Sequence, residues 1–203
     1  MKKLNTPIGI SGIAAYIPPY RVWLNDWCEW TNNQWPKIRE VVGRSFRLRG
    51  NQHSVYTMAA TAVIRLIDQY NIDPEKVKFL ALGTESSTDN SAGAIIIKGM
   101  INEALISQNK PPISRSCEVP EFKHACLGGV YAMKGAIRQI ALDGSGGKAI
   151  VVCSDIAEYP LDSSGEPTQG AGAVEMLVEE NPKLLEVDIL NSCLLYTSDA
   201  ADE

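Results

Sequence analysis

The stretch Glu118-Val-Pro-Glu-Phe-Lys-His-Ala-Cys126-Leu-Gly-Gly-Val130 decides the reading of this chain, because it sets a cysteine at the mouth of a helix. Residues 130–142 have helical character, and Cys126 lies just ahead of them with Gly128 and Gly129 between. A thiol in that position meets unpaired backbone N–H groups and the positive end of a helix dipole. Such surroundings favour the thiolate and make a nucleophile. The two glycines would let a substrate approach the backbone closely. The plainer alternative is a small core cysteine that happens to precede a helix.

Working outward, apolar runs alternate with amphipathic stretches. Residues 7–15 read as a first strand, closed by Pro18-Pro19. Four tryptophans follow (Trp23, Trp27, Trp30 and Trp35) in a helix and loop. Their clustering fits the cover of a core or subunit contact better than a ligand platform. Residues 54–70 repeat apolar side chains every three or four positions, from Val55 through Met58, Ala62 and Leu66, and predict a one-sided helix. Asn71-Ile-Asp-Pro74 stops it. Residues 77–82 form a short apolar strand that runs into the polar loop Gly83-Thr-Glu-Ser-Ser-Thr-Asp89, and residues 92–105 again suggest a helix. A proline-bearing turn at residues 107–112 leads to a strand expected over 113–119.

Beyond the cysteine, residues 148–154 predict a buried strand with Asp155 and Tyr159 at its exit, and residues 160–169 a loop. Residues 170–178 read as a glycine-led strand, where glycine marks close backbone approach. Residues 182–190 are expected to add a strand in a hairpin with it. Strands alternating with helices indicate a layered α/β fold with a mostly parallel central sheet between helices.

Composition narrows the function. The chain has 203 residues, 45% of them hydrophobic and 21% charged, which is ample for a core. A net charge of −5 and the lack of a Lys/Arg block argue against nucleic acid. The five cysteines are irregularly spaced without a CxxC pair, and only His53 and His124 accompany them. That pattern argues against a metal site or disulfide framework and for reduced thiols in the cytoplasm. The apolar run near the start is interrupted by Pro7 and followed by Pro18-Pro19, so a strand is expected there rather than a leader. No apolar run is long enough to span a bilayer.

Four motifs occur in order: Gly83-Thr-Glu85-Ser-Ser-Thr-Asp89, Glu121-Phe-Lys-His-Ala-Cys126-Leu-Gly-Gly, Ser154-Asp-Ile-Ala-Glu-Tyr159 and Ser163-Ser-Gly-Glu-Pro-Thr168-Gln-Gly-Ala-Gly-Ala173. Together with Tyr16-Ile-Pro-Pro-Tyr-Arg-Val22, they resemble the hydroxymethylglutaryl-CoA synthases, especially the bacterial kind, over about residues 7–190. The resemblance implies the first half of a thiolase-like fold, paired in a homodimer when full length. It also implies a condensing acyltransferase that joins acetyl-CoA to acetoacetyl-CoA, with coenzyme A thioesters as substrates and no separate cofactor or metal.

By the same resemblance Cys126 takes the acetyl group and Glu85 is the general acid/base. Asp155, Tyr159, Ser164 and Thr168 line or support the acyl and coenzyme A pocket, and a histidine in the second half orients the other substrate. Covalent acetylation splits one hard condensation into two easier steps, and a positioned carboxylate must remove a proton from the weakly acidic methyl. Partial burial of Glu85 at the end of its strand would suit that task. Taken alone, Glu85 reads rather as a solvated loop carboxylate, Asp155 is equally a helix cap or turn acid, and the Gly170 run reads as a tightly packed strand near a dimer contact before any direct chemistry.

The sequence departs from the family in places. Leu127 stands where many members carry tyrosine, the chain is longer around residues 107–113, and Asn51-Gln-His53-Ser replaces an acidic stretch. His53 is expected to be a polar residue at a helix start, and His124 not to be catalytic. Residues 192–203 do not continue the family pattern and look like a foreign tail, so residues 1–191 are expected to be a truncated half-domain, inactive by itself. Competing assignments are a polyketide β-branching synthase or ketoacyl-carrier-protein synthase acting on acyl groups held by acyl carrier protein, or a non-catalytic half-fold. Glu85 argues against ordinary ketoacyl synthases, which rely on histidine with asparagine or a second histidine.

Overall fold

Strand β4 (Val77–Thr84) is buried along nearly all its length, and its side chains divide between two layers. Phe79 and Ala81 face one side, together with Ala149 and Val151 of β6 (Lys148–Ala157). Leu80 and Leu82 face the other, with Ile150 and Val152. Successive strand residues point to opposite faces, so apolar runs of this kind need helices on both. Helix α5 (Gly128–Leu142) covers the first face with Ala132, Ala136, Ile137 and Ile140. Helices α3 (Val55–Gln69) and α4 (Gly93–Ser107) cover the second, through Ala59, Val63, Leu66, Ile97 and Ile101. Burying each larger aliphatic side chain stabilises the layers by ~1.5–3 kcal/mol. This computed structural model describes residues 6–142 and 146–188; the expected tail at 192–203 lies outside them.

The six-stranded sheet has the order β5-β4-β6-β7-β1-β8. Strand β5 (Glu121–Lys123), β4 and β6 run parallel. Strand β7 (Gly170–Glu180) is antiparallel to both β6 and β1 (Ile8–Tyr16). The expected layered α/β fold is present in a mixed sheet whose parallel strands lie at the site end. A smaller unit holds the tryptophans: α1 (Leu24–Thr31) and α2 (Trp35–Val41) pack beside a hairpin of β2 (Tyr20–Trp23) and β3 (Ser45–Leu48). Trp27 is buried there with Leu24, Cys28 and Phe46, whereas Trp23 and Trp30 are exposed.

Local chemistry explains the boundaries. Ser54 accepts from the Thr57 N–H while Thr57 returns a bond to the Ser54 N–H, a reciprocal cap that starts α3. His53, just ahead of it, is buried: the Gly50 N–H donates to Nδ1 at 2.8 Å, and Nε2 lies 2.6 Å from the Tyr16 hydroxyl. Its role at a helix start is thus structural.

Three expectations need correction. The strand expected over 113–119 does not form, because residues 114–117 close a turn through the Cys117 N–H to the Ser114 carbonyl. Only Glu118 bridges to Phe79, and the strand proper comes later, as β5. The segment after β7 makes no hairpin with it, because β6 and β1 already occupy both edges of β7. That segment, β8 (Leu185–Glu186), pairs instead with the free edge of β1; residues 189 and 190 of the expected strand lie outside the described residues. Finally, glycines 170 and 172 are not sites of tight approach: a Cβ at Gly172 would lie 3.5 Å from the nearest atom outside its chain neighbours, an ordinary contact.

Candidate active site

The tight glycines are elsewhere, and they build the site. A Cβ on Gly83, near the end of β4, would fall 2.3 Å from the Gly129 nitrogen and 2.4 Å from the Gly128 carbonyl carbon. A Cβ on Gly128 would fall 2.7 Å from the Phe122 carbonyl oxygen, and one on Gly129 2.5 Å from Cys153 Sγ. Three bare backbones thus let the first turn of α5 rest directly on the ends of β4, β5 and β6. Gly128 and Gly129 thus serve the seating of the helix, and Gly129 also lines the cavity beside Cys126.

That seating fixes Cys126. It sits in a single 3-10 turn, Ala125–Leu127, that feeds into α5, and Ala125 has a left-handed φ of 23°. Cys126 is exposed, not a core cysteine. It opens onto a cavity of about 430 Å³ whose wall includes Gly83, Gly129, Val130, Met133, Cys153, Asp155 and Met176. His124 is exposed beside it, with its ring 5.1 Å from that of Tyr131.

Asp155 is neither a helix cap nor a turn acid; it lies within β6. Its Oδ1 accepts four hydrogen bonds: from Thr84 Oγ1 at 2.8 Å, the Glu85 N–H at 2.8 Å, the Ser86 N–H at 3.1 Å and Ser86 Oγ at 2.7 Å. Hydrogen bonds to a carboxylate are the strong kind, and here they hold the loop that carries Glu85 against β6. Farther along that loop, Glu121 accepts from Ser87 Oγ and the Gly93 N–H, and Asp89 accepts from the Tyr56 hydroxyl and the Ala92 N–H. Glu85 itself is exposed, which corrects the expectation of partial burial. Its backbone N–H reaches Asp155, which lines the Cys126 cavity, while Glu85 itself is not part of that wall.

The other expected site residues are placed apart. Ser164 lines a second cavity of about 440 Å³ with Trp27, Thr31, Asn33 and Asp162. Tyr159 is exposed and packs against Gly165, and Thr168 Oγ1 donates to the Gly165 carbonyl. Sequence reasoning passed over Cys153. Burial, with the Glu175 and Asp155 carboxylates, pushes its thiol up to about 11. Parity was the available signal: residues 149, 151, 153 and 155 share one face of β6, so Cys153 had to face the same way as Asp155.

At and beyond the cavity, α5 leaves apolar surface open: Val130 on its wall, then Tyr131 and Leu142, are exposed, as is Leu127 before them. Among the described residues no helix is long and apolar enough to cross a membrane.

Comparison with known proteins places this geometry. The model of the hydroxymethylglutaryl-coenzyme A synthase N-terminal region matches residues 5–183. The chain is 33% identical over 196 residues to hydroxymethylglutaryl-CoA synthase of Enterococcus faecalis, covering 96% of this chain and 48% of that protein. It is 31% identical over 173 residues to the Saccharomyces cerevisiae synthase, covering 84% and 33%. A solved structure of MvaS in complex with 3-hydroxy-3-methylglutaryl coenzyme A superposes with a TM-score of 0.82 at 33% identity, over 91% of this chain and 43% of that one. The curacin-pathway HMG synthase in complex with holo donor-ACP shares the fold, with a TM-score of 0.79 at 22% identity, over 90% and 43%. The chain thus spans less than half the length of these relatives.

Proposed function

The chain belongs to the hydroxymethylglutaryl-coenzyme A synthase family, and on that footing we propose that it is the nucleophile-bearing half of a condensing acyltransferase. In this reading Cys126 attacks acetyl-CoA, coenzyme A leaves as its thiol, and the acetyl group remains on the sulfur as a thioester. Glu85 then removes a proton from the acetyl methyl, and the resulting carbanion adds to the ketone of acetoacetyl-CoA. Hydrolysis of the cysteine thioester releases hydroxymethylglutaryl-CoA. The start of α5 offers backbone N–H groups to the thioester oxygen as negative charge develops there. Asp155 is a positioning residue that sets the backbone carrying Glu85.

The observation that carries this reading is the docking of α5 on β4. That contact, Gly83 against Gly128 and Gly129, supports the reading because it seats the start of α5, with its exposed thiol, on the strand whose end leads into the Glu85 loop. The second cavity, with Ser164 at its wall, suits the coenzyme A arm, with Tyr159 and Thr168 shaping the loop beside it. Coenzyme A thioesters enter as substrates, and the scheme calls on no other cofactor.

The exposed Leu127, Val130, Tyr131 and Leu142 suit cover by a second α/β half bearing the orienting histidine, in an enzyme that is itself a homodimer. The 203 residues alone are then expected to condense nothing. Free Cys28, Cys117, Cys126 and Cys153 suit a reducing cytoplasm.

The test is acetyl-CoA treatment of the whole enzyme followed by peptide mass mapping. One acetyl group on the Cys126 peptide, absent from Cys126→Ala, is the expected result; no adduct refutes the proposal. Acetylation only from acetyl-loaded carrier protein would move the enzyme to the polyketide branch.

A further inference from the structure

We propose that Cys153 is the resolving partner of Cys126, so that oxidation of the exposed thiol by a peroxide closes an intrachain disulfide across the cavity and reversibly blocks the nucleophile. Both cysteines line the same cavity of about 430 Å³. The wall around them includes Gly83 and Gly129, which carry no side chains to intervene. Cys153 Sγ lies so close to the first turn of α5 that a Cβ on Gly129 would stand 2.5 Å from it, and Gly129 is only three residues beyond Cys126. Cys126 rides on a single 3-10 turn entered through the left-handed Ala125.

The order of events follows from exposure. Cys126 is open to solvent, whereas Cys153 is half-buried and is held as a thiol chiefly by that burial. Peroxide therefore meets Cys126 first. Its thiolate attacks the O–O bond, one oxygen transfers to sulfur, and the other leaves as water or alcohol, giving a sulfenic acid. The Cys153 sulfur then attacks the Cys126 sulfur. The sulfenic hydroxyl leaves with the Cys153 proton as water, and the S–S bond forms. A thiol reductant restores both thiols by exchange. The other described cysteines are sequestered: Cys28 packs with Leu24, Trp27 and Phe46, and Cys117 lies in the layer beneath α3 and α4.

The test needs no acyl chemistry, so its failure is separate from failure of the proposed synthase reaction. The reduced chain is treated with substoichiometric hydrogen peroxide, alkylated, digested without reduction and mapped by mass. The expected product is a linked Cys126–Cys153 peptide pair, with simultaneous loss of alkylation at both positions and full recovery after dithiothreitol. In Cys153→Ser and Cys153→Ala the pair is lost, and Cys126 is left as sulfenic acid, which a second, added equivalent of peroxide takes on to irreversible sulfinic acid. Sulfinic acid at Cys126 of the unaltered chain with Cys153 still alkylated would overturn the proposal, and so would linkage of Cys126 to any cysteine other than Cys153. The map of the unaltered chain decides even where a variant fails to fold.

Discussion

Two regions of one sheet treat a carboxyl group in opposite ways. At the ends of β4 and β6, Asp155 receives four hydrogen bonds on one oxygen and lies beside a cavity. In the middle of β7, beneath α3, Glu175 is fully buried and neither of its oxygens has a hydrogen-bond partner. Burial pushes the Glu175 carboxyl up to about 9, and the Arg65 guanidinium only moderates that rise. The first region uses its charge to fix a loop, whereas the second holds its carboxyl neutral. The difference separates the end of the sheet that faces a cavity from the middle that packs beneath α3, where a carboxyl is tolerated at a cost.

The largest expected effect comes from striking the first region at its seat. Gly83→Val would drive a side chain into the backbone of Gly128 and Gly129. We expect a loss of ~3 kcal/mol in denaturant unfolding, the upper part of the usual overpacking range. Next, Asp155→Ala strands the Glu85 and Ser86 N–H groups and should cost about 2 kcal/mol, as for lost bonds to a charged group. Amide exchange at residues 85 and 86 should quicken while exchange within α3 stays slow. Equal quickening in both would erase the distinction between the regions.

The second region should respond with the opposite sign. Glu175→Leu removes an unsatisfied buried group and is expected to stabilise the chain at neutral pH by about 1–3 kcal/mol. The folded state keeps the Glu175 proton up to about pH 9, while the unfolded chain releases it near the ordinary value of 4.5. The ionisation-linked part of the Glu175 cost is therefore absent below pH 4.5 and grows as pH rises towards 9, while the cost of the unsatisfied neutral carboxyl remains at every pH. The gap between the melting curves of the two proteins should narrow in acid and widen towards alkaline pH; a constant gap would contradict the assignment. The smallest effect is at the start of the covering helix: Ser54→Ala should cost about 1 kcal/mol through loss of the α3 cap.

Much of this was legible in the chain. The period of residues 54–70 gave α3, and the motif order singled out Cys126 and Glu85. The hold of Asp155 on the Glu85 loop was not legible, because its partners lie 69 to 71 residues away in sequence. The glycine roles were hidden for a related reason: a run such as Gly170-Ala-Gly-Ala173 looks crowded in sequence, yet crowding depends on what packs opposite, and that is severe at Gly83 and Gly129 instead. Pairing of β8 with β1 required knowing that both edges of β7 were filled. Glu175 could have been found, since it shares parity with the buried Ala173 and Leu177.

In the proposed reaction a sulfur holds the acyl group and a carboxylate moves its proton. The most direct measurement is Glu85→Gln in the whole enzyme, with acetylation of Cys126 and condensation followed side by side. The account predicts that Cys126 is still acetylated while condensation falls by roughly 10²–10⁴-fold. Condensation at the unaltered rate would contradict it.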